Sequence, residues 1–142
     1  AQTSADYRLR GNCHYTLTDS EASGEQLVSA LLYAGAGSYI EFIIDLPTSG
    51  TYHLEGTLAM GGTCSVLVDD VKNDATQADA GYPMKRIGTL KPSQKLTDVS
   101  IGEIHFDQPG LKIIRFATEK KQEVKLDRLR LLKRGKLIFQ KR

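Results

Sequence analysis

The sequence predicts an all-β fold, an antiparallel β-sandwich or barrel. Three observations carry that expectation: apolar and polar residues alternate strictly along successive short runs, turn-forming residues punctuate those runs, and almost no segment has helical periodicity. Cys13, Tyr15 and Leu17 alternate with His14, Thr16 and Thr18. Ile40, Phe42, Ile44 and Leu46 alternate with Tyr39, Glu41, Ile43 and Asp45, which puts Glu41 on the outward, solvated phase. Tyr52, Leu54 and Leu58 form the apolar phase of the next run, and Cys64, Val66 and Val68 that of the one after. Ile104 and Phe106 flank His105, and the run from Leu111 to Phe116 is apolar on both faces. Val124 and Leu126 share one phase while Leu129 and Leu131 share the other, so a one-residue slip near Asp127 predicts a β-bulge. Pro47-Thr48-Ser49-Gly50, Gly61-Gly62 and Pro109-Gly110 supply the turns. The expected core is Leu9, Cys13, Tyr15, Phe42, Ile44, Tyr52, Leu54, Val66, Val68, Ile104, Phe106, Ile113, Phe116, Leu126 and Leu129.

One segment departs from the pattern. Leu27, Val28, Leu31 and Leu32 fall at helical spacing, with Ser23 as an N-cap and Gly35 as a stop, which predicts a short helix from Glu25 to Ala34. The longest expected loop is Val71 to Pro83. After Leu132 the chain turns polar and then briefly apolar at Leu137, Ile138 and Phe139, so residues 133–142 read as a basic tail, a final strand or a linker behind a domain of residues 1–132.

Length and composition bound the function. A chain of 142 residues suffices for one domain and buries enough surface to fold without a metal or disulfide staple. With 40% hydrophobic and 25% charged residues it reads as globular rather than disordered. No apolar run approaches the roughly 18 residues that a membrane helix needs, so no membrane partner is expected. Two cysteines exclude a disulfide-dense scaffold and a four-cysteine zinc site; Cys13 and Cys64, both on inward phases, read either as buried thiols or as an inter-strand disulfide.

Nothing in the sequence has the form of a catalytic motif. There is no phosphate-cradling glycine loop with its lysine, no nucleophile elbow and no His-Glu-x-x-His. His14, His53 and His105 lie opposite the apolar phase of their strands and read as solvated residues. Carboxylate pairs for glycoside hydrolysis come from distant strands, and no pair stands out.

The segment from Leu31 to Phe42, with Tyr33, Gly37 and Tyr39, followed by Leu46-Pro47-Thr48-Ser49-Gly50-Thr51-Tyr52, resembles carbohydrate-binding modules of the family 6 and 35 type, which are galactose-binding-like jelly rolls. Val66-Leu67-Val68-Asp69-Asp70, Gly102 to Lys112 and Leu126-Asp127-Arg128-Leu129 resemble later strands of the same modules. Tyr7 to Asn12 and Ile101-Gly102-Glu103-Ile104 are similar to the variant appended to bacterial α-L-fucosidases and other glycosidases. The resemblance spans about residues 7–132. It implies a non-catalytic accessory module of a secreted or periplasmic bacterial protein, with a glycan or polysaccharide as partner and a covalently linked catalytic domain. A structural spacer of the same fold is the alternative.

By the same resemblance Tyr33 and Tyr82 are platform aromatics, and Lys121 or Gln122, in the contact loop from Thr118 to Gln122, meets sugar hydroxyls. That loop is basic here, which suits an acidic or sulfated sugar better than a neutral one. The resemblance also implies a structural calcium near Asp127 and Asn12, weakened because Asn12 stands where the family has a carboxylate. No other cofactor is implied.

Charge is divided unevenly. Residues 112–142 hold twelve of the 19 basic residues and three of the 17 acidic ones. Many of these bases alternate with apolar residues, as on a strand face, and no exposed aromatics are interleaved to stack bases. The chain is therefore expected to form no specific nucleic-acid complex. In fluorescence anisotropy at physiological salt, labelled single- and double-stranded oligonucleotides should show no saturable binding; a tight complex would contradict this.

Overall fold

The computed structural model describes residues 7–19, 26–33, 38–70, 84–118 and 120–141. These form eleven strands: β1 (Arg8–Asn12), β2 (His14–Asp19), β3 (Gln26–Leu32), β4 (Tyr39–Leu46), β5 (Gly50–Met60), β6 (Cys64–Asp70), β7 (Lys85–Leu90), β8 (Ser93–Phe106), β9 (Gly110–Thr118), β10 (Gln122–Lys133) and β11 (Lys136–Lys141). One sheet has the order β1-β4-β9-β6-β7 and the other the order β2-β3-β10-β5-β8, with β11 added to β10. All pairings are antiparallel. The two sheets pack face to face as a sandwich, one of the two architectures that the alternation predicts and the one that the resemblance implies.

The core is the inner phase of each strand. Ile40, Phe42, Ile44 and Leu46 of β4, Tyr52, Leu54, Leu58 and Met60 of β5, and Cys64, Val66 and Val68 of β6 belong to one buried cluster. Phe42 and Phe116 meet edge to face at 6.3 Å. Leu9, Cys13 and Tyr15 are only partly buried against this cluster. Ile113 is fully buried, but it pairs with Ile43 on the opposite face of its sheet; Ile114 takes the interior place. The thiols of Cys13 and Cys64 are free. Burial pushes that of Cys13 up to about 11 and that of Cys64 to about 12.

Two expectations need correction. Gln26–Leu32 is strand β3, not part of a helix. Val28, Ala30 and Leu32 are the buried alternate residues, and the segment pairs with β2 on one side and β10 on the other. Two ladders outweigh the propensity of a seven-residue segment. Glu41 faces outward but is completely buried rather than solvated. Arg10 Nε donates to one of its carboxylate oxygens at 2.5 Å and Arg115 Nε to the other at 2.7 Å. The Arg115 guanidinium also lies 3.8 Å over the ring of Tyr39.

The slip near Asp127 is present: β10 shifts register against β5 between Leu126 and Arg128. That shift lets Leu126 and Leu129 both point inward. The segment after Leu132 turns back at Arg134 (φ 54°) and Gly135 (φ 76°), both left-handed as a two-residue hairpin requires, and runs as β11 along β10. Phe139 thereby enters the core, its ring edge-on to that of Tyr7 at 6.4 Å. Lys141, fully buried, donates to the backbone carbonyls of Gln26 at 2.7 Å and Asp127 at 2.9 Å.

At the far edge β7 and β8 approach backbone to backbone. A Cβ on Gly88 would lie 2.7 Å from the carbonyl oxygen of Ile101, and one on Gly102 would lie 2.8 Å from that of Ile87. Only glycine fits at these two positions without moving main chain.

Phe139→Ala tests whether β11 is integral to the sandwich. Truncating this buried ring should lower unfolding free energy in urea by about 3–5 kcal/mol. A loss below about 1 kcal/mol would mark β11 as a peripheral addition.

Candidate functional site

Register places Tyr33, the turn 61–63, residues 91–92 and residues 120–121 at one end of the sandwich. Leu32 pairs with Gln122, Val124 with Met60, and Cys64 with both Leu90 and Thr118. Tyr33 stands at this end directly after β3 and is 46% exposed, one of few large apolar side chains so open among the described residues. Its backbone N–H donates to Ser38 Oγ at 3.0 Å, which ties down the start of the β3–β4 connection. The Lys121 ammonium lies 5.2 Å from the centre of the Tyr33 ring, within cation–π range, and so takes one of its two faces.

The adjacent residue, Lys120, belongs to a different surface. It lines an open cavity of about 500 Å³ together with the turn Gly61-Gly62-Thr63, Ser65 of β6, and Arg86 and Thr89 of β7. The 120–121 segment thus separates the aromatic ring from a hydroxyl-lined hollow of the size that small ligands occupy.

Gln122 follows directly in the sequence. Its side chain is buried and turned inward. Its Oε1 accepts from the Gly62 N–H at 2.9 Å, and its Nε2 donates to the Thr63 carbonyl at 2.7 Å and to Thr118 Oγ1 at 2.5 Å. Both amide donors are engaged inside the protein, so the side chain clamps the β5–β6 turn to the β9–β10 connection. Gly61 N–H adds a backbone bond to the Glu123 carbonyl at 3.2 Å. Gln122 positions the two loops that border the cavity.

Tyr82 lies outside the described residues. The residues flanking its segment, Asp70 and Met84, stand at the other end of their strands from Cys64 and Leu90, away from the end that carries Tyr33. Asn12 is an exposed residue of β1 in one sheet, whereas Asp127 is buried at the bulge of β10 in the other. An ammonium already occupies hydrogen-bonding distance of the Asp127 carbonyl. A calcium ion needs six to eight oxygens converging at about 2.3–2.6 Å. Among the described residues, no three His, Cys, Asp or Glu side chains gather as a metal site.

The histidines do not converge either. His14 is on β2, at the opposite edge of its sheet from His105 on β8. His53 Nε2 is 2.9 Å from Ser100 Oγ, and His105 contacts Thr51 Oγ1 at 3.0 Å and Asp107 Oδ1 at 3.1 Å on an exposed face. Of the four residues that the resemblance singles out, Tyr33 and Lys121 lie side by side, whereas Arg86, Ser65 and Thr89 carry no local motif and join Lys120 only through strand pairing.

No family model and no curated protein matches the chain. Solved structures do match its fold. A family 29 carbohydrate-binding module variant is 15% identical with a TM-score of 0.59, covering 95% of this chain and 89% of that one. Another variant of that module, complexed with cellulohexaose, is 17% identical with a TM-score of 0.57, covering 87% and 78%. A family 61 module in complex with β-1,4-galactotriose is 16% identical with a TM-score of 0.55, covering 89% and 88%. At such identities the likeness establishes the β-sandwich fold.

The clamp can be tested without any ligand. Gln122→Ala removes three internal hydrogen bonds and takes the side-chain acceptor from the Gly62 N–H, while the Thr63 carbonyl keeps its bond from Thr118 Oγ1, so stability in urea should fall by about 1–3 kcal/mol. Amide exchange at Gly62 should accelerate with it. An unchanged midpoint and unchanged exchange would show that the two loops are held by other means.

Proposed function

We propose that the protein is a non-catalytic carbohydrate-binding module whose site lies at the loop end of the sandwich, with Tyr33 as its platform. The observation that carries this reading is the exposed Tyr33 ring, held beside Lys121 and next to a hydroxyl-lined cavity. A pyranose has an apolar C–H face and a polar rim. One open face of a tyrosine can bury the former while nearby hydroxyls and cations bond the latter. The fold shared with modules solved in complex with cellulohexaose and β-1,4-galactotriose supports the same reading.

The finer reading follows the sequence resemblance. The chain works as an accessory of a larger secreted or periplasmic bacterial glycan-processing protein, in the manner of family 6 and 35 modules and of those appended to α-L-fucosidases. A single aromatic platform contributes on the order of 1 kcal/mol beyond burial. Affinity for a monosaccharide is then about millimolar, or about −4 kcal/mol. Such a module gains retention from its tether to an enzyme rather than from contact area.

A glycan-array screen followed by titration calorimetry tests this. The wild-type chain should bind at least one oligosaccharide class. Tyr33→Ala should remove detectable binding while shifting the melting temperature by no more than about 2 °C, because an exposed ring contributes little to the core. Binding that survives Tyr33→Ala unchanged would place the site elsewhere. A wild-type chain that binds no glycan would favour the spacer.

A further inference from the structure

We infer that the cavity beside Lys120 recognises an anionic sugar, a hexose unit bearing a carboxylate or a sulfate. This deepens the proposed function and rests on it. The charged groups that line the cavity are Arg86, from β7, and Lys120, from the β9–β10 connection. Both are exposed, and neither has an ion-pair partner among the described residues. That sets them apart from the more buried cations of the same sheet. Arg10 and Arg115 share Glu41, and Lys112 is paired with Asp70. The nearest described carboxylate in sequence, Glu123, pairs with Lys125 at 3.7 Å on β10 and does not line this cavity.

The remaining wall consists of hydroxyls and backbone. Ser65 and Thr89 face each other across the β6–β7 ladder, and Arg86 lies two pairs further along it, opposite Leu67. Guanidinium and ammonium groups only donate hydrogen bonds. A neutral sugar hydroxyl can satisfy them as an acceptor, but it leaves both charges uncompensated. A carboxylate or sulfate offers several acceptor oxygens and the opposite charge, with a geometry that suits the planar fork of an arginine. The hydroxyls of Ser65 and Thr89 donate or accept and suit the ring hydroxyls. Because Gln122 fixes the turn at Gly62 and Thr63, this wall is in place before the ligand arrives.

Titration calorimetry of the whole chain against four probes tests the inference: trigalacturonate, a sulfated galactose trisaccharide, neutral β-1,4-galactotriose and sodium sulfate. At 50 mM NaCl at least one anionic trisaccharide should bind about tenfold or more tightly than the neutral one, and the gap should shrink to about threefold or less at 0.5 M. Preference for trigalacturonate identifies a uronic acid, and preference for the sulfated probe a sulfate ester. Arg86→Gln combined with Lys120→Gln, both at exposed positions, should abolish the preference. Equal affinity for neutral and anionic probes would overturn this inference while leaving the carbohydrate-binding reading intact. Sodium sulfate binding as tightly as the sulfated sugar would overturn it in favour of a bare anion site. Failure of every glycan would overturn both.

Discussion

The one-residue slip at Asp127 is the constraint on which the sandwich depends. In a strand, a shift of one residue exchanges the two faces. Without the bulge, Leu129 and Leu131 would face solvent if Val124 and Leu126 faced the core. With it, all four are buried. The same strand carries β5 along one edge and, on the other, first β3 and then β11. A bulge takes its residue out of the ladder, and buried carbonyls left there must find a donor. The Lys141 ammonium supplies it, bonding Asp127 and Gln26 together. The last described strand is thus anchored at the irregularity that makes its neighbour's core face continuous.

The loop end follows from the start of that strand. Gln122 is its first residue and lies in the inward phase, where an apolar side chain would simply have extended the core. Its amide reaches the Gly62-Thr63 turn instead, replacing apolar packing with directed bonds at the point where two loops meet. Lys120 and Lys121 precede this fixed residue, and they diverge to the cavity and to the tyrosine ring respectively. A well-ordered amide therefore places two side chains that are themselves exposed and mobile by nature.

The strands with a strict alternating phase, β4, β5 and β6, could be read directly because burial on a single face imposes period two. The bulge could be read for the same reason, since it is a visible break in that period. β3 could not, because seven residues containing two Leu-Leu or Leu-Val steps satisfy helix and strand templates alike, and only pairing with β2 and β10 decides. Glu41 misled because alternation reports direction and not solvent access. Its burial depends on Arg10 and Arg115, which lie 31 and 74 residues away. The candidate site divides along the same line. Tyr33 and Lys121 could be found from a family-like pattern, whereas Arg86 and Lys120 are neighbours only because β7, β6 and β9 lie side by side.

The pair of glycines at the β7–β8 edge has a consequence for behaviour at high density. Each is on the last strand of its sheet, where unpaired backbone groups normally invite another molecule to add a strand. At Gly88 and Gly102 the two outer strands press main chain against main chain, each covering the other. Side chains larger than hydrogen would pry this seam open and expose two templates for polymerisation. Two missing methyl groups thus let the two edge strands shield one another from a third.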